Sequence, residues 1–157
     1  LVRDEAGGAL VRARGGAPRA GDVRDPRALD ALAAGAEVVF HLAAWMGQPS
    51  DPSLAHAVNV GGTRSVLRAA ADAGARRVVL ASSVAVYGPV RSGLVSEERP
   101  YWSVGDLYSD TKIAAERVAR AEAEALGVDL VILRPTMIYG PASPAWTETP
   151  YRAIARG

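Results

Sequence analysis

Several features that commonly reveal a protein's class are missing from this 157-residue sequence. It contains no cysteine, which excludes disulfides and thiolate metal sites. The two histidines, His41 and His56, have no other ligand-type residues at metal-binding spacing, so we predict no metal. A net charge of +1 indicates no binding surface for nucleic acid or an anionic membrane, and no apolar run reaches transmembrane length. We therefore expect a cytoplasmic globular protein that binds neither nucleic acid nor a membrane.

Lysine is also nearly absent, since Lys112 is the single lysine among 18 basic residues. Tyr108 precedes it by four positions, in an Ala- and Glu-rich stretch at 108–126 that is predicted to be a long helix. Side chains four apart emerge on one helix face, one turn from each other. A phenol ionises at about pH 10, and a neighbouring ammonium favours the phenolate, as acid–base catalysis near neutrality requires. The alternative is an amphipathic surface helix with a snorkelling lysine.

Short apolar runs alternate with helical stretches along the chain. Strands are predicted at residues 37–43, 76–82 and 128–133, and helices at residues 4–14, 26–34, 54–73 and 108–126. The sequence Asp25-Pro26 is a typical helix start, with Asp as the N-cap and Pro at the first helical position. Alternation of this kind predicts an α/β fold with right-handed βαβ units around a parallel sheet.

Ligands of such sheets bind outside the carboxyl ends of the strands, so the residues that follow each strand are candidates for a site. Ser83 follows the second predicted strand, and Arg134 and Pro135 follow the third. Each candidate also has an ordinary structural interpretation: the Ser-Ser pair as a turn, His41 as a hydrogen-bonded strand end and Asn59 as a local cap. Two further aromatic residues, Tyr87 and Tyr139, are expected to pack beside the cleft.

Six short motifs together resemble one family, the extended short-chain dehydrogenase/reductases of the NAD-dependent epimerase/dehydratase group. They lie at residues 21–25 (GDVRD), 41–44 (HLAA), 59–63 (NVGGT), 81–88 (ASSVAVYG), 108–112 (YSDTK) and 133–141 (LRPTMIYGP). Their order and spacing match the family over nearly the whole chain. The resemblance implies a Rossmann-like doubly wound parallel sheet and an NAD(P)-dependent oxidoreductase.

The resemblance also implies roles for individual residues. Tyr108 would be the general acid/base, Lys112 would hold the nicotinamide ribose and support Tyr108, and Ser83 would hydrogen-bond the reacting oxygen. The cofactor-binding residues implied are Arg3, Asp22, Val23, Leu42, Ala43, Ala44, Asn59, Ala81, Tyr108, Lys112, Pro135, Thr136 and Met137. Within this set, Asp22 and Val23 would flank the adenine, and the residues from Pro135 to Met137 would lie beside the nicotinamide.

One feature of the family is not found in these residues. The phosphate-binding Gly-x-x-Gly-x-x-Gly turn and the strand before it would lie upstream of Leu1, and the glycine pairs at 7–8 and 15–16 have the wrong spacing to replace them. We therefore expect an incomplete sheet with an unpaired interior edge, in an internal fragment that is inactive by itself. Residues 1–143 are interpreted as a partial dinucleotide-binding domain and residues 144–157 as the start of a substrate-binding region.

Several alternatives stay open at this point. Arg3-Asp4 could select either cofactor, with a slight preference for NADP because Arg3 comes first. The substrate is a small molecule such as a nucleotide sugar, for an epimerase or dehydratase, or a ketone or hydroxysteroid-like compound, for a reductase. A redox-silent dinucleotide sensor or a truncated product without an independent role are further possibilities.

The same resemblance assigns two surfaces of the fold to partners. The loops at 45–51 and 91–105 would contact the substrate, with Trp45, Met46, Tyr101 and Trp102 as candidates. A homodimer would form through the helices at 54–73 and 108–126, where the small residues Ala69, Ala70, Ala114 and Ala115 permit close packing.

Overall fold

A computed structural model of the chain describes residues 1–46, 51–90, 92–141 and 143–156. Within those ranges the α-helices are α1 (Glu5–Ala13), α2 (Pro26–Ala33), α3 (Pro52–His56), α4 (Gly62–Asp72), α5 (Leu107–Leu126) and α6 (Thr149–Ala155). The strands are β1 (Val38–His41), β2 (Arg77–Ala81) and β3 (Asp129–Leu133). The alternation of helices and strands that the sequence predicts is therefore present.

Helix boundaries follow from local sequence signals. Asp25 caps α2 by accepting a hydrogen bond from the backbone N–H of Arg27 (3.0 Å), and Pro26 occupies the first helical position. Gly127 ends α5 with a left-handed backbone (φ 67°), a conformation that glycine adopts without steric cost. Both boundaries agree with the sequence prediction.

The prediction of one continuous helix at residues 54–73 is wrong. The helical segment begins earlier, at Pro52, and a π-helical turn (Ala57–Gly61) separates α3 from α4. This turn contains Asn59, whose side chain is hydrogen-bonded to other parts of the fold, as described below. Single π-helical turns within helices are often found where a residue has a functional position.

The three strands form a parallel sheet in the order β1-β2-β3. Val39 of β1 pairs with Val78 of β2, and Val78 pairs with Leu130 of β3. Helix α4 packs on β1 and β2, and α5 packs on α4 and β3. Two apolar clusters lie between these elements, and fully buried Val78 and Leu67 belong to the one beneath α4 and α5. The carboxyl ends of all three strands consequently meet at one edge.

The outer edge of β1 has no strand partner among the residues that the structure describes. Val2 and Ala20 form a separate parallel bridge elsewhere in the chain. A cavity of about 330 Å³ lies along this edge, with Leu1 and Phe40 among its lining residues. The sheet thus shows the unpaired edge expected from the sequence. The predicted strand at 37–43 is shorter than expected, because pairing with β2 ends at His41.

Three predictions concern segments that the structure covers only in part. Residues 47–50 and 91 of the expected substrate loops, and Gly157 at the end of the predicted substrate region, lie outside the described residues. The segment from 144 onward forms a π-helical turn (Pro144–Glu148) followed by α6, which packs against that turn. The division into two regions at residue 143 stays a prediction.

Candidate active site

The first turn of α5 carries Tyr108, and a cap fixes its position. The Asp106 side chain accepts hydrogen bonds from the backbone N–H groups of Tyr108 (3.2 Å) and Ser109 (2.9 Å). The Ser109 hydroxyl also donates to this carboxylate, and together these bonds hold the pKa of Asp106 below its usual range. A negative charge at this position also stabilises the helix N-terminus. Tyr108 is therefore presented, half-buried, by a firmly anchored turn.

Lys112 lies one turn further along the same face and is almost completely buried, with 5% of the residue exposed. Its Nζ donates a hydrogen bond to the backbone carbonyl of Ala81 (2.8 Å), at the carboxyl end of β2. Nζ also lies 5.9 Å from the centroid of the Tyr108 ring. Burial lowers the pKa of Lys112, and the negative charge of Glu116 opposes that effect. The structure thus brings Tyr108, Lys112 and Ala81 together.

The two serines after β2 have different roles. The Ser82 hydroxyl is buried and donates to Glu116 (2.5 Å), so its hydrogen is used inside the fold. The Ser83 oxygen accepts a hydrogen bond from the backbone N–H of Ala85 (3.1 Å), which caps the short 3₁₀ helix Val84–Tyr87. No described residue accepts the Ser83 hydrogen. Ser83 is therefore the serine that can donate to a ligand oxygen.

The chain after β3 runs beside this serine turn. The backbone N–H of Ser82 donates to the carbonyl of Leu133 (2.7 Å), and that of Val84 donates to the carbonyl of Pro135 (3.0 Å). Ser83 is consequently flanked on both sides by bonds to the segment that contains the predicted nicotinamide-side residues. Thr136 and Met137 continue this segment, and both are exposed.

The predicted cofactor ligand Asn59 is buried, with only 2% of the residue exposed, so its side chain does not face the space that a ligand would occupy. Its Oδ1 accepts a hydrogen bond from the backbone N–H of Trp45 (2.7 Å), and its Nδ2 donates to the Thr111 hydroxyl (2.9 Å). Thr111 in turn shares its single hydroxyl hydrogen between the carbonyls of Leu107 (2.8 Å) and Tyr108 (3.0 Å). Asn59 therefore joins the loop after β1 to the turn that separates Tyr108 from Lys112.

His41, at the end of β1, belongs to an internal hydrogen-bond chain. Its Nε2 lies 3.0 Å from the Thr63 hydroxyl, which itself donates to the carbonyl of Asn59 (2.6 Å). The single hydroxyl hydrogen of Thr63 is thereby used, so His41 must carry its hydrogen on Nε2. Burial and the positive charge of Lys112 lower the pKa of His41 to about 4, which leaves a neutral ring near neutral pH.

The predicted adenine side is separate from the Tyr108 region. Val23 is buried, and together with Leu42 and Ala43 it lines the cavity along β1. Asp22 is held by Arg24 through two side-chain hydrogen bonds (2.8 Å each), which lower the pKa of Asp22 to about 2. Arg3 is exposed and close enough to Asp22 to contribute to that lowering. The neighbouring Ala44 is half-buried and is not part of the cavity lining.

The aromatic candidates for substrate contact divide into two pairs. Trp45 is 6% exposed and belongs to the folded interior, whereas Tyr101 is half-buried and its hydroxyl donates to Glu116 (2.8 Å). Met46 and Trp102 are 74% and 53% exposed.

The small residues predicted to form a dimer contact are mostly internal, because Ala69, Ala70 and Ala115 are buried within the chain. They therefore give no support to a subunit contact.

Sequence reasoning missed one side chain of the site, Glu116. It lies four residues after Lys112, and the same spacing that paired Lys112 with Tyr108 could have identified it. Its partner Arg134 lies in the motif at residues 133–141, but the family resemblance assigned it no role. The Glu116 carboxylate and the Arg134 guanidinium form a buried ion pair (2.6 Å).

Metal sites and membrane-spanning helices are not found among the described residues. No three acidic or histidine side chains in the described ranges are grouped as metal ligands. Among those same residues, no helix has both the length and the apolar character needed to cross a bilayer.

Comparison with known proteins places the geometry in context. Residues 3–156 match the model of the NAD-dependent epimerase/dehydratase family. Cinnamoyl-CoA reductase 1 of Oryza sativa subsp. japonica is 40% identical over 129 residues, covering 76% of this chain and 37% of the relative. A 4-epimerase of Escherichia coli O157:H7, which acts on N-acetyl-alpha-D-glucosaminyl-diphospho-ditrans,octacis-undecaprenol, is 40% identical over 123 residues with the same two coverages. The chain thus spans 37% of the length of each of these relatives.

Solved structures show the same fold. A dTDP-glucose 4,6-dehydratase of Streptomyces venezuelae, crystallised as a double mutant with NAD bound, superimposes with a TM-score of 0.78 at 33% identity, covering 90% of this chain and 45% of that one. Similar solved structures contain NAD or NADPH. The predicted Rossmann-like parallel sheet is confirmed.

Proposed function

Since the chain belongs to the NAD-dependent epimerase/dehydratase family, we propose that it supplies the catalytic core of an NAD(P)-dependent oxidoreductase-type enzyme. In this proposal Ser83, Tyr108 and Lys112 act on a hydroxyl or carbonyl group of a small molecule. The observation that carries it is the hydrogen bond from Lys112 to Ala81, which brings the Tyr-Lys pair to the carboxyl end of β2. A lysine on a merely exposed helix face would not be buried against a strand end.

The residues at this edge fit the nicotinamide half of a dinucleotide. Nζ of Lys112 makes one hydrogen bond within the described residues, so two of its three N–H groups can bind ribose hydroxyls. Ala81 presents only a small side chain, which permits close approach of a flat ring. When bound, a nicotinamide dinucleotide would supply or accept the hydride of the reaction. The glycine-rich phosphate turn of the family is not found among these 157 residues.

The protein side chains would control the proton. Ser83 would donate a hydrogen bond to the reacting oxygen, because its own hydrogen has no internal acceptor among the described residues. Tyr108 would give its phenolic proton to that oxygen in reduction and remove a proton from it in oxidation. Lys112, whose Nζ lies 5.9 Å from the centroid of the Tyr108 ring, would hold the nicotinamide ribose beside the phenol. Removal of the phenol should therefore abolish proton transfer while the fold is retained.

The experiment compares this chain with a version extended upstream to include the family's glycine-rich turn, by titration with NADH and NADPH followed by nicotinamide fluorescence. Turnover of UDP-glucose, dTDP-glucose and cinnamoyl-CoA as probes is measured on the extended version. Tyr108→Phe should lower kcat by about 10²- to 10⁴-fold, and Lys112→Met should weaken dinucleotide binding. Glu122→Gln is the control, because Glu122 lies on the same helix and pairs with Arg64 and Arg68, away from the proposed site. Full activity of Tyr108→Phe would refute the assignment.

Nucleotide sugars are the proposed substrate class. The dTDP-glucose 4,6-dehydratase among the similar solved structures supports this choice. Reduction of an acyl or ketone group is the second candidate, favoured by the similarity to cinnamoyl-CoA reductase. Turnover of one probe class without the other distinguishes the two.

The choice between NAD and NADP can be tested at Arg3. Asp4 is engaged as the cap of α1 through the N–H of Gly7 (2.7 Å), whereas Arg3 is exposed and could bind a 2′-phosphate. Arg3→Ala should then weaken NADPH binding about tenfold or more, the value of one charge-assisted hydrogen bond, and leave NADH binding unchanged. Equal weakening of both would remove the basis for preferring NADP.

Three further proposals concern the whole protein. The 157-residue chain by itself should be inactive or nearly so, since the pyrophosphate would lack its usual backbone donors. The active protein would be a cytoplasmic homodimer. Measurable turnover by the isolated chain, or a monomeric active form, would contradict these proposals.

A further inference from the structure

Glu116 is a fully buried acid at the centre of the site, and the proposed chemistry gives it no role. Its carboxylate accepts hydrogen bonds from the hydroxyls of Ser82 (2.5 Å) and Tyr101 (2.8 Å) and from Nε (2.9 Å) and Nη2 (2.6 Å) of Arg134. Burial would raise the pKa of Glu116, but these hydrogen bonds, those from Arg134 first, outweigh it and lower the pKa. The carboxylate is thus held ionised.

Arg134 is held equally firmly. Its guanidinium lies 5.0 Å from the ring centroid of Tyr87 and 5.4 Å from that of Tyr101, so it is placed against two aromatic rings. Nη1 donates to the backbone carbonyl of Glu97 (3.0 Å). Side-chain exposure is 9% for Arg134 and 0% for Glu116, which makes this a desolvated ion pair.

Glu116 is regularly spaced from the proposed catalytic residues of α5. Tyr108, Lys112 and Glu116 follow one another at four-residue intervals on one face of α5. Lys112 binds the carbonyl of Ala81, and Glu116 binds the side chain of the next residue, Ser82. Two successive turns of the helix therefore hold two successive residues at the end of β2, immediately before Ser83.

The same carboxylate also holds the second strand end. Arg134 follows the last residue of β3 and precedes Pro135, whose carbonyl accepts the N–H of Val84. One buried side chain thereby links the three segments that carry Ser83, Lys112 and Pro135. An apolar cluster would stabilise such a junction as well or better, because a buried ion pair contributes little net stability. The fixed geometry of a forked ion pair is what an apolar cluster would not provide.

We propose that Glu116, clamped by Arg134, is a positioning residue that sets Ser83 and the segment after β3 in register with Tyr108 and with Lys112, which lies one turn away on the same helix face. This inference rests on the proposed function for the roles of Ser83 and Lys112. Its core, the coupling between Glu116 and Lys112, is independent of any substrate.

Other charged or titratable groups face this region and must be considered. His41 faces Lys112 from β1 and is neutral near neutral pH, and Tyr108 lies on the same helix. Arg134 and two tyrosines, Tyr87 and Tyr101, surround the carboxylate. Arg120 reaches it only peripherally, at 4.0 Å. Of these groups, Glu116 is the one whose negative charge opposes the desolvation of Lys112.

The single lysine makes the test direct. Protein labelled with [13Cε]lysine gives one side-chain signal, whose pH dependence reports the ionisation of Lys112. Glu116→Gln keeps the size of the side chain and removes its charge, so the Lys112 signal should titrate at lower pH than in the wild type. Glu122→Gln is the matched control, because Glu122 lies on the same helix and pairs with surface arginines 64 and 68. An unchanged titration in Glu116→Gln would overturn the inference.

A second variant keeps the test decisive if Glu116→Gln does not fold. Glu116→Gln/Arg134→Gln leaves no uncompensated buried charge. Because it removes a positive charge together with the negative one, turnover and not the Lys112 titration is the readout for this variant. In a turnover assay either variant should lose about 10²-fold in kcat, the expected effect of a 1 Å misplacement, with little change in the KM for cofactor. If kcat is retained, the positioning role is excluded.

The proposed function can fail separately. Absence of NADH and NADPH binding to the version extended upstream to include the glycine-rich turn would remove that function, yet the lysine titration would still measure the coupling.

Discussion

Protonation of His41 should destabilise the fold at mildly acidic pH. The ring is 3% exposed, and its Nε2 already donates to Thr63. A second proton would place a charge in the buried interior, close enough to Lys112 for repulsion, and the pKa of His41 therefore falls from its usual 6.5 to about 4. The unfolded chain therefore binds this proton more readily than the native chain. The stability that the neutral His41 ring contributes should be fully present above the pKa of His41 in the unfolded chain. It should be lost as the pH falls toward about 4.

The magnitude follows from linkage. The full difference between the two pKa values corresponds to about 3 kcal/mol, at 1.36 kcal/mol per unit. Between about pH 7 and about pH 5 the loss should be about 2 kcal/mol, since only part of the window is crossed. This would move a urea unfolding midpoint by on the order of 1 M.

The assay is urea unfolding at those two pH values for the wild type and for His41→Gln. The glutamine amide can donate to Thr63 as Nε2 does, and it does not titrate. The pH-dependent loss in the wild type should exceed that in His41→Gln by about 2 kcal/mol. His56→Gln, which removes the exposed histidine of α3, controls for loss of a histidine as such. Equal pH dependence in the wild type and His41→Gln would refute the reasoning.

Two further substitutions test the packing around the site. Asn59→Ala should cost about 1–3 kcal/mol, because the N–H of Trp45 loses a buried acceptor and Thr111 loses a donor; thermal or urea unfolding measures this, and a neutral result would contradict the linking role of Asn59. Gly62→Ala should cost about 1–3 kcal/mol by overpacking, because a Cβ there would lie 2.9 Å from the side chain of Val23. Unchanged stability in an unfolding experiment would show that Val23 can move away from α4 without cost.

Much of the fold could be predicted from local sequence. The Asp25-Pro26 start of α2 depends on a cap formed by adjacent residues, so it needs no knowledge of the rest of the fold. The Tyr108–Lys112 spacing likewise depends only on helix geometry. The structure agrees with the sequence at both places because the determining contacts lie within one turn.

The remainder depends on contacts between distant residues. Asn59 could be interpreted as a cap or a cofactor ligand, but its partner Thr111 lies 52 positions away. The linking role of Glu116 could not be predicted from the sequence, because its partner Arg134 lies 18 positions further along the chain. The burial of Ala69 and Ala70 was also not evident, because small residues fit equally well between helices of one chain or of two.

The open edge of β1 has a consequence for handling the protein. An unpaired strand offers a row of backbone donors and acceptors to any other extended chain, and charged side chains or proline usually discourage such pairing. β1 has neither, since its sequence is Val-Val-Phe-His, and Phe40 is 66% exposed. Purified samples should therefore associate as their concentration rises, and a peptide or fusion partner that occupies this edge should keep them dispersed.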